Sequence, residues 1–293
     1  MHNLPKVRGQ YRFNAHITNW FDVGGKAEIL FKPEDIDDLA FFLKNKSPII
    51  ATTIIGAGSN IIVKDKGIKG VVIRLGKGFN NIEINGDNAI KAYGACLCAN
   101  VANFARDNGL AGLEFLSGIP GSLGGAIAMN AGCYNSDISQ ILVSATAMDQ
   151  NGNIVELARK DFDFAYRSNN LASKYIFISA IFSVKKSSFE DVSIVMQKFQ
   201  KSREETQPIR AKTGGSTFKN PKNSTKKAWE LIDQAGLRGF SVNDAEISSK
   251  HCNFLINKNN ASAEDIINLI NIIKKKVKDC SGVDLEEEIK ILE

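Results

Sequence analysis

Four stretches of the chain repeat their apolar residues with the spacing of one face of a helix. They are residues 33–46, residues 97–107, and the stretches that begin near Ser188 and near Ser262. Ser188 with Asp191, and Ser262 with Asp265, have the spacing of a capping pair at a helix start, and Gly282 is predicted to end the last helix. The predicted buried faces are Val192, Val195, Met196 and Phe199 in the third helix and Ile266, Leu269, Ile270, Ile273 and Val277 in the fourth.

Short apolar or alternating runs between these helices predict β-strands. They cover residues 49–55, 61–63, 71–75, 81–84, 89–93, 141–149, 154–157, 176–184 and 285–293. The polar residues 150–153 predict a hairpin turn between two of these strands. A mixture of helices and strands without an internal repeat indicates an α+β fold, and we place its main domain boundary near residue 190.

The composition is that of a soluble globular protein, without signals for a membrane or for nucleic acid. Of the 293 residues, 43% are hydrophobic and 24% are charged, and the net charge of +5 comes from scattered basic residues. The sequence shows neither a secretion signal nor an apolar run of about 18 residues. The cysteines, five in number, lack CxxC spacing, so neither disulfides nor a zinc site is predicted. We therefore expect a cytoplasmic protein.

Two glycine-rich segments are the candidate ligand sites. Residues 56–60 read GAGSN between two predicted strands, and residues 118–132 hold five glycines. Glycine allows positive φ and close backbone approach, so successive N–H groups can converge on an anion such as a diphosphate. The other interpretation of each segment is a close-packed turn without a ligand. A Rossmann nucleotide site is not predicted, because Ile61 replaces the third glycine of GxGxxG and a strand follows instead of a helix.

Five motifs follow one another along the chain: GAGSN at residues 56–60, GLEFLSGIPGSLGGAIAMNAGCYN at 112–135, Tyr166-Arg167, GGSTFKNP at 214–221 and LEEEIKILE at 285–293. In this order they resemble the motifs of the UDP-N-acetylenolpyruvoylglucosamine reductase family. The resemblance extends from about Thr18 to Glu293. Two departures are visible. The family more often has Ala where Gly214 stands, and the short interval from Arg167 to Ser216 resembles the subclass that lacks a tyrosine-bearing loop insertion.

The resemblance implies an α+β FAD-binding domain of the vanillyl-alcohol-oxidase (PCMH) type over residues 1–190, and a smaller α+β substrate-binding domain over residues 191–293. Non-covalent FAD is expected between two subdomains, about 1–76 and 77–190. The strand 285–293 is expected to return to the active site. The residues implied to bind FAD are Gly56, Ala57, Gly58, Ser59, Asn60, Gly118, Ile119, Pro120, Gly121, Ser122, Gly124, Gly125, Asn130, Ala131 and Gly132.

The activity implied by the resemblance is reduction of the enolpyruvyl ether of UDP-N-acetylglucosamine to UDP-N-acetylmuramate, in peptidoglycan precursor synthesis. NADPH, the co-substrate, reduces FAD. Hydride then passes from flavin N5 to C3 of the enolpyruvyl group, and a proton is added at C2. The resemblance assigns Ser216 as the proton donor, Arg167 to the enolpyruvyl carboxylate and Glu288 to stabilisation of the intermediate. A monomer is expected, and the expected substrate contacts are Tyr134, Tyr166, Asn220 and His251.

Each of these assignments also has a non-catalytic interpretation. A serine after two glycines suits a turn, an arginine in a loop is often a surface residue, and a histidine before a strand is often structural. Strand register leaves Glu286 and Glu288 open, because they would share a face, and only the family pattern selects Glu288. Two other functions remain open. One is a flavin oxidase of the same fold that acts on another alcohol, and the other is a non-catalytic nucleotide-sugar-binding protein.

Overall fold

The computed structural model describes residues 4–293, which form two compact units. The first contains residues 4–13, 29–57 and 70–201, and the second contains residues 14–28, 58–69 and 202–293. Each unit therefore combines chain segments that are distant in sequence. The glycine turn at residues 56–60 contributes to both units.

The strands and helices follow one another along the whole of the described chain. The strands are β1 (Gln10–His16), β2 (Lys26–Lys32), β3 (Thr52–Ile55), β4 (Ile61–Val63), β5 (Ile68–Arg74), β6 (Ile82–Ile84), β7 (Ala89–Tyr93), β8 (Leu110–Ala111), β9 (Gly132–Cys133), β10 (Ser136–Asp137), β11 (Leu142–Asp149), β12 (Ile154–Ala158), β13 (Tyr175–Ser183), β14 (Lys185–Lys186), β15 (Ser241–Val242), β16 (Ala245–Ile247), β17 (Leu255–Asn257) and β18 (Lys290–Leu292). The α-helices are α1 (Ile36–Asn45), α2 (Cys98–Asp107), α3 (Leu123–Ala128), α4 (Ile138–Ile141), α5 (Phe189–Thr206), α6 (Ala228–Gln234) and α7 (Ala263–Ser281).

The first unit holds an antiparallel five-stranded sheet in the order β12-β11-β13-β7-β6. The predicted hairpin is confirmed as β11 and β12, in which Ala145 lies opposite Leu157. Helices α2 and α3 bury their apolar faces in one core with this sheet, since Val101, Ile127 and Phe182 all belong to it. The glycine-rich segment therefore belongs to a closely packed part of the protein.

A second sheet has the order β1-β2-β5-β3, with β3 parallel to β5. Helix α1 packs in the same core as this sheet, because Leu39 and Phe42 are buried there with Phe31. Asp35 caps the helix, since its Oδ1 accepts a hydrogen bond from the Asp38 N–H at 3.0 Å. Strand β3 leads directly into the glycine turn.

The second unit is built around helix α7, which packs with α6 and the antiparallel sheet β15-β16-β17. Every apolar residue predicted for the buried face of α7 is buried. The predicted capping pair is present, because Ser262 Oγ accepts from the Asp265 N–H at 3.0 Å, and Gly282 ends the helix with φ 71°. Strand β18 runs parallel to β4, with Ile291 opposite Ile62.

Several local predictions were wrong. The strand predicted over residues 49–55 covers only Thr52–Ile55, because Ile49 is 89% exposed in a turn. The strand predicted over residues 285–293 covers only Lys290–Leu292, and Val195, predicted to be buried on α5, is exposed. Helix α3 inside the glycine-rich segment was not predicted, because glycine disfavours a helix interior. Within residues 4–293, no helix is long and apolar enough to cross a membrane.

Candidate active site

A cavity of about 180 Å³ in the first unit brings residues of the two glycine-rich segments together. Gly56 and Ala57 line it from the turn, and Ser122, Gly124 and Gly125 line it from the start of helix α3. A Cβ atom on Gly56 would lie 2.2 Å from Ser122 Oγ, so any side chain at residue 56 would displace that hydroxyl. The backbone of Gly56 and the hydroxyl group of Ser122 thus form one wall of the cavity.

The remaining lining suits the ring systems of a dinucleotide. Most of it is apolar, and it includes Arg74 and Tyr175. A Cβ atom on Gly124 would lie 3.2 Å from the carbonyl oxygens of Gly94 and Phe177, so a side chain there would make an unusually tight contact with the backbone. A dinucleotide needs apolar walls for its rings and N–H, O–H or cationic donors for its phosphates. The residues that line the cavity therefore fit FAD.

Other residues predicted to bind FAD hold the local backbone and do not line this cavity. The Gly121 carbonyl accepts from the Cys98 N–H at 3.0 Å, with Gly121 at φ 120°. A Cβ atom on Gly118 would lie 2.9 Å from the Cys133 Sγ atom, and one on Gly132 would lie 2.4 Å from a backbone carbonyl oxygen. The predicted residues outside the lining are Gly58, Ser59, Asn60, Gly118, Ile119, Pro120, Gly121, Asn130, Ala131 and Gly132. Their contact with FAD stays a prediction.

Arg167 lies at the tip of a tight turn in the first unit. Ala165 and Ser168 exchange backbone hydrogen bonds of 2.9 and 3.1 Å, with Tyr166 and Arg167 between them. The Arg167 guanidinium carbon lies 5.2 Å from the centre of the Tyr166 ring. Arg167 has φ 57°, a left-handed conformation that costs free energy for a residue other than glycine. Such strain concentrates at functional sites.

Two asparagines attach this turn to the glycine-rich segment. The buried Asn130 donates from Nδ2 to the Ala165 carbonyl at 3.1 Å. Asn169 donates from Nδ2 to the carbonyls of Ile127 and Ala128, at 2.8 and 3.0 Å, where helix α3 ends. Sequence reasoning assigned Asn130 to FAD and missed Asn169 altogether. The signal for Asn169 was the polar run that follows the Tyr-Arg pair.

Tyr134 packs against helix α5. Its ring stacks on Phe199, with 3.9 Å between the ring centres and 2° between the planes. Its hydroxyl donates to the Phe199 carbonyl at 2.8 Å. These contacts give Tyr134 a packing role, and its assignment to substrate stays a prediction.

In the second unit, the end of the glycine turn is tied to the segment that carries Glu288. Asn60 donates from Nδ2 to the Glu288 carbonyl at 3.1 Å, and its own carbonyl accepts from the Lys290 N–H at 3.1 Å. Gly58 has φ 82°, and a Cβ atom there would lie 2.7 Å from the Thr18 carbonyl oxygen. Ser59 lies between these two fixed residues. The turn GAGSN therefore has a structural role in addition to any ligand contact.

Ser216 lies in an extended segment that two other segments hold in place. On one side, the Glu288 N–H donates to the Thr217 carbonyl at 2.8 Å, and the Lys219 N–H donates to the Glu286 carbonyl at 2.9 Å. These bonds place the segments that carry Ser216 and Glu288 next to each other. The segment of the predicted proton donor and that of the glutamate predicted to stabilise the intermediate are thus adjacent within one unit.

On the other side of the segment, Asn253 binds the backbone of two successive residues. Its carbonyl accepts from the Thr217 N–H at 2.8 Å. Its side chain accepts from the Phe218 N–H at 2.9 Å and donates to the Phe218 carbonyl at 2.8 Å. Ser216 pairs with Phe254 in an isolated β-bridge. No local sequence pattern indicates the role of Asn253, apart from its place before an apolar run.

Gly214, where the family more often has Ala, lies against two apolar side chains. A Cβ atom on Gly214 would lie 2.4 Å from an aromatic carbon of Phe21 and 2.8 Å from Ile289 Cδ1. These two side chains therefore fill the space that an alanine methyl group would need, which accounts for this departure from the family pattern.

The three consecutive glutamates near the end of the chain have different surroundings. Glu286 is exposed and forms an ion pair with Lys219, which holds the pKa of Glu286 below its usual value. Glu287 forms an ion pair with Lys274 at 2.8 Å. Glu288 is half-buried, and its backbone is fixed beside Thr217. Of the two glutamates that sequence register left open, Glu288 is the more buried.

His251 packs within the second unit as a neutral ring. Its Nδ1 atom accepts from the Asn253 N–H at 3.2 Å, and its ring meets Phe254 edge-on with 4.8 Å between the centres. Burial lowers the pKa of His251, and the positive charges of Arg238 and Lys227 lower it further. In the neutral ring the proton is then on Nε2, which can donate to a ligand.

Asn220 lies at the other end of the GGSTFKNP run, at the start of helix α6. Its Oδ1 atom accepts a hydrogen bond of 3.1 Å from the N–H of Ala228, and Ala228 is the first residue of that helix. The structure thus gives Asn220 a role in holding the helix start. Its contact with substrate stays a prediction.

Comparison with known proteins assigns the chain to a family. Residues 27–158 match an FAD binding domain, and residues 207–292 match the C-terminal domain of UDP-N-acetylenolpyruvoylglucosamine reductase. The reductase of Rickettsia canadensis is 46% identical over 292 residues, which are 99% of this chain and 98% of that protein. The chain belongs to the UDP-N-acetylenolpyruvoylglucosamine reductase family. The reductase of Rickettsia prowazekii is 47% identical over 290 residues, 98% of this chain and 97% of that protein.

A solved structure gives the same result for the fold. The crystal structure of UDP-N-acetylenolpyruvylglucosamine reductase from Thermus caldophilus has a TM-score of 0.84 and 28% identity, and the match covers 98% of this chain and 100% of that one. The predicted fold class is confirmed as α+β with an FAD-binding domain of the vanillyl-alcohol-oxidase (PCMH) type. As a member of the reductase family with this domain, the chain is a flavoprotein of the oxidoreductase class.

Proposed function

We propose that this chain reduces the enolpyruvyl ether of UDP-N-acetylglucosamine to UDP-N-acetylmuramate, with NADPH as electron donor, in the cytoplasmic synthesis of peptidoglycan precursors. The observation that carries the proposal is the hydrogen bond of 2.8 Å from the Glu288 N–H to the Thr217 carbonyl, which puts the Ser216 and Glu288 segments side by side. The names of relatives that match nearly the whole chain support it.

FAD, when bound, would supply the redox chemistry, which is the transfer of hydride from NADPH to C3 of the enolpyruvyl group. We propose that Gly56, Ala57, Ser122, Gly124 and Gly125 hold it non-covalently, since they line a cavity with N–H and O–H donors and apolar walls. The remaining predicted FAD contacts, proposed on the family resemblance, are Gly58, Ser59, Asn60, Gly118, Ile119, Pro120, Gly121, Asn130, Ala131 and Gly132.

Ser216 is proposed to give the proton to C2 of the substrate. A hydroxyl is a weak acid, so the site must also stabilise the negative charge that develops on the substrate. Glu288 is proposed to do so. Its side chain is half-buried, and its backbone is fixed beside Thr217, next to the segment that carries Ser216. Exposed Glu286, bound to Lys219, is less suited to that role.

Arg167 is proposed to bind the enolpyruvyl carboxylate. A guanidinium binds a carboxylate through two parallel hydrogen bonds and keeps its charge at any working pH. The tight turn between Ala165 and Ser168 fixes the backbone of Arg167 before substrate arrives. Fixing a charged group in advance lowers the entropy cost of binding and orients the carboxylate for reaction.

The remaining proposals concern the nucleotide sugar and the domains. Tyr134, Tyr166, Asn220 and His251 are proposed to contact the substrate, and the Nε2–H of neutral His251 is suited to a phosphate oxygen. Residues 1–190 are proposed to bind FAD and residues 191–293 the substrate, with strand 285–293 at the active site. We propose that the enzyme acts as a monomer, without nucleic-acid or membrane partners.

An anaerobic stopped-flow experiment tests the proposed function. Purified protein reconstituted with FAD is mixed with NADPH, and the flavin absorbance band should bleach. Addition of the enolpyruvyl substrate should then restore the band without oxygen. If an alcohol bleaches the flavin and only oxygen restores it, the chain is an oxidase of the same fold. If no flavin binds, a nucleotide-sugar-binding protein without redox activity is favoured.

A further inference from the structure

Three cationic side chains lie in a row across three neighbouring strands of the first unit. They are Arg12 on β1, Lys32 on β2 and Arg74 on β5. Each follows a residue that packs in the core with helix α1. Those preceding residues are Tyr11, Phe31 and Ile73. Because successive side chains of a strand point to opposite faces, the three cations share the face away from that core.

The charges in this cation row are close enough to act on one another. The rings of Tyr11 and Phe31 lie 5.1 Å apart, which places the preceding positions of β1 and β2 side by side. The pKa of Lys32 is lowered by burial and then by the positive charges of Arg12 and Arg74. Arg12 donates to Gln10 Oε1 at 3.1 Å, a neutral partner. Like charges on neighbouring strands destabilise a sheet, so an anion on this face would stabilise it.

One end of the cation row opens on the cavity of the first unit. Arg74 lines that cavity together with Gly56 and Ser122, and lies opposite Ile55 on β3. Arg74 is half-buried, so its guanidinium is partly withdrawn from water, and this burial lowers the pKa of Arg74. A planar guanidinium with reduced hydration binds phosphate oxygens in pairs, and its attraction to them is stronger away from bulk water.

We propose that Arg74, Lys32 and Arg12 form a phosphate-binding row for a dinucleotide that enters this cavity. The diphosphate of FAD and the 2′-phosphate of NADPH share the required chemistry. The inference rests on the proposed function, since that function supplies both dinucleotides. It adds side-chain cations to the backbone N–H donors of the glycine-rich segments.

Binding of FAD to the flavin-stripped full-length chain tests the row, with quenching of flavin fluorescence as the readout. Arg74→Met and Lys32→Met should each raise the Kd for FAD by about tenfold or more, because each removes a charge-assisted contact. The effect should shrink at high salt, which screens the attraction. Lys91→Met is the matched control. Lys91 lies on β7, 3.6 Å from Glu83 and outside the cavity lining, so its loss should leave the Kd unchanged.

A second measurement separates the two phosphate sources. If the Kd for FAD is unchanged but half-maximal bleaching needs about tenfold more NADPH, with NADH unaffected, the row binds the 2′-phosphate. The proposal would be overturned if the Kd for FAD and the NADPH concentration for half-maximal bleaching both stay within twofold of wild type. If Arg74→Met fails to fold, Lys32→Met gives the same readout.

Thermal unfolding adds a check that does not depend on turnover. Lys32→Met should raise the Tm of the flavin-stripped chain, because it relieves repulsion, and should reduce the gain in Tm on adding FAD. An equal gain in both proteins would exclude the diphosphate of FAD as the ligand of the row, and the NADPH measurement would then decide whether the proposal stands. A wild-type chain that binds no FAD would instead contradict the proposed function.

Discussion

The side chain of Asn253 forms two hydrogen bonds with the backbone of Phe218. Its Oδ1 accepts from the Phe218 N–H at 2.9 Å, and its Nδ2 donates to the Phe218 carbonyl at 2.8 Å. Both residues are buried, so water does not readily replace these bonds. Since Ser216 lies in the same extended segment, Asn253 positions the proposed proton donor from a distance.

Replacing Asn253 by Ala should lower the free energy of unfolding by about 2–4 kcal/mol, because two buried backbone groups lose their partners. Urea unfolding of the full chain measures the change. Asn259→Ala is the control. Its amide donates to Asp244 at 3.3 Å on the surface, and its loss should cost less than about 0.5 kcal/mol. An unfolding midpoint for Asn253→Ala equal to that of wild type would show that this segment is held by other contacts.

Ser216→Ala should leave flavin bleaching by NADPH nearly unchanged and slow reoxidation by the enolpyruvyl substrate by about 100-fold or more, because only the second half-reaction needs a proton at C2. Stopped-flow absorbance separates the two steps. Ser241→Ala, at an exposed position of the same unit, should change neither rate. Equal losses in both half-reactions would assign the serine to folding or to flavin binding.

Arg167→Lys should slow the substrate half-reaction by about tenfold or more, since an ammonium group does not reproduce the paired contact with a carboxylate. Bleaching by NADPH is expected to stay near the wild-type rate. Arg106→Lys provides a control, because Arg106 is paired with Asp107 at 2.8 Å on helix α2. An unchanged reoxidation rate in Arg167→Lys would remove this arginine from the reaction.

Arg167→Gly should separate stability from activity. Glycine adopts φ 57° without a steric cost, so the free energy of unfolding should stay within about 1 kcal/mol of wild type or rise. The substrate half-reaction should nevertheless be lost with the guanidinium. A variant that is strongly destabilised would show that the side chain of Arg167, and its contact with Tyr166, hold the turn in place.

Gly56→Ala and Ser122→Ala should show coupled effects on FAD binding. The new methyl group would displace Ser122 Oγ, which would lie only 2.2 Å away, and the serine variant removes the same oxygen. Each is expected to weaken FAD binding by about tenfold, and the double variant should be little worse than either. Gly76→Ala is the control, because the added Cβ atom would lie 3.7 Å from its nearest neighbour, an ordinary van der Waals contact. Additive losses in the double variant would mean that the two residues act separately.

Lowering the pH should destabilise the protein partly through His251. Burial lowers the pKa of His251 in the folded chain, so the unfolded chain binds more protons in mild acid. This part of the stability is fully present above the unfolded pKa of about 6.5 and is lost as the pH falls through the folded pKa. Urea midpoints measured between about pH 8 and pH 5 should therefore fall less for His251→Gln than for wild type.

The parts of the fold that depend on neighbouring residues could be predicted from the sequence. Helix α7 is one example, since its buried stripe, its capping pair at Ser262 and its end at Gly282 all depend on residues a few positions apart. Helix α3 could not be predicted in the same way. Its two glycines disfavour a helix locally, and its packing in the core of the first unit overrides that preference.

The candidate site was predictable only through the family resemblance. The motifs named Ser216 and Glu288, but the bonds that join their segments connect residues far apart in sequence, which no local pattern contains. Asn253 and Asn169 were missed for the same reason, because their partners are distant backbone groups. The comparison of Glu286 with Glu288 by strand register was also misleading. Residues 286–288 do not form a regular strand, and each glutamate has different neighbours.

The pairing of β4 with β18 sets a limit on when the second unit can be completed during translation. Residues 61–63 leave the ribosome early, and the strand that pairs with them, residues 290–292, is made much later. Until then Ile62, a fully buried residue of the finished core, must stay unpaired in the nascent chain. We therefore expect this unit to close only after residue 292 has emerged, and its early segments to be the ones that chaperones must shield in the meantime.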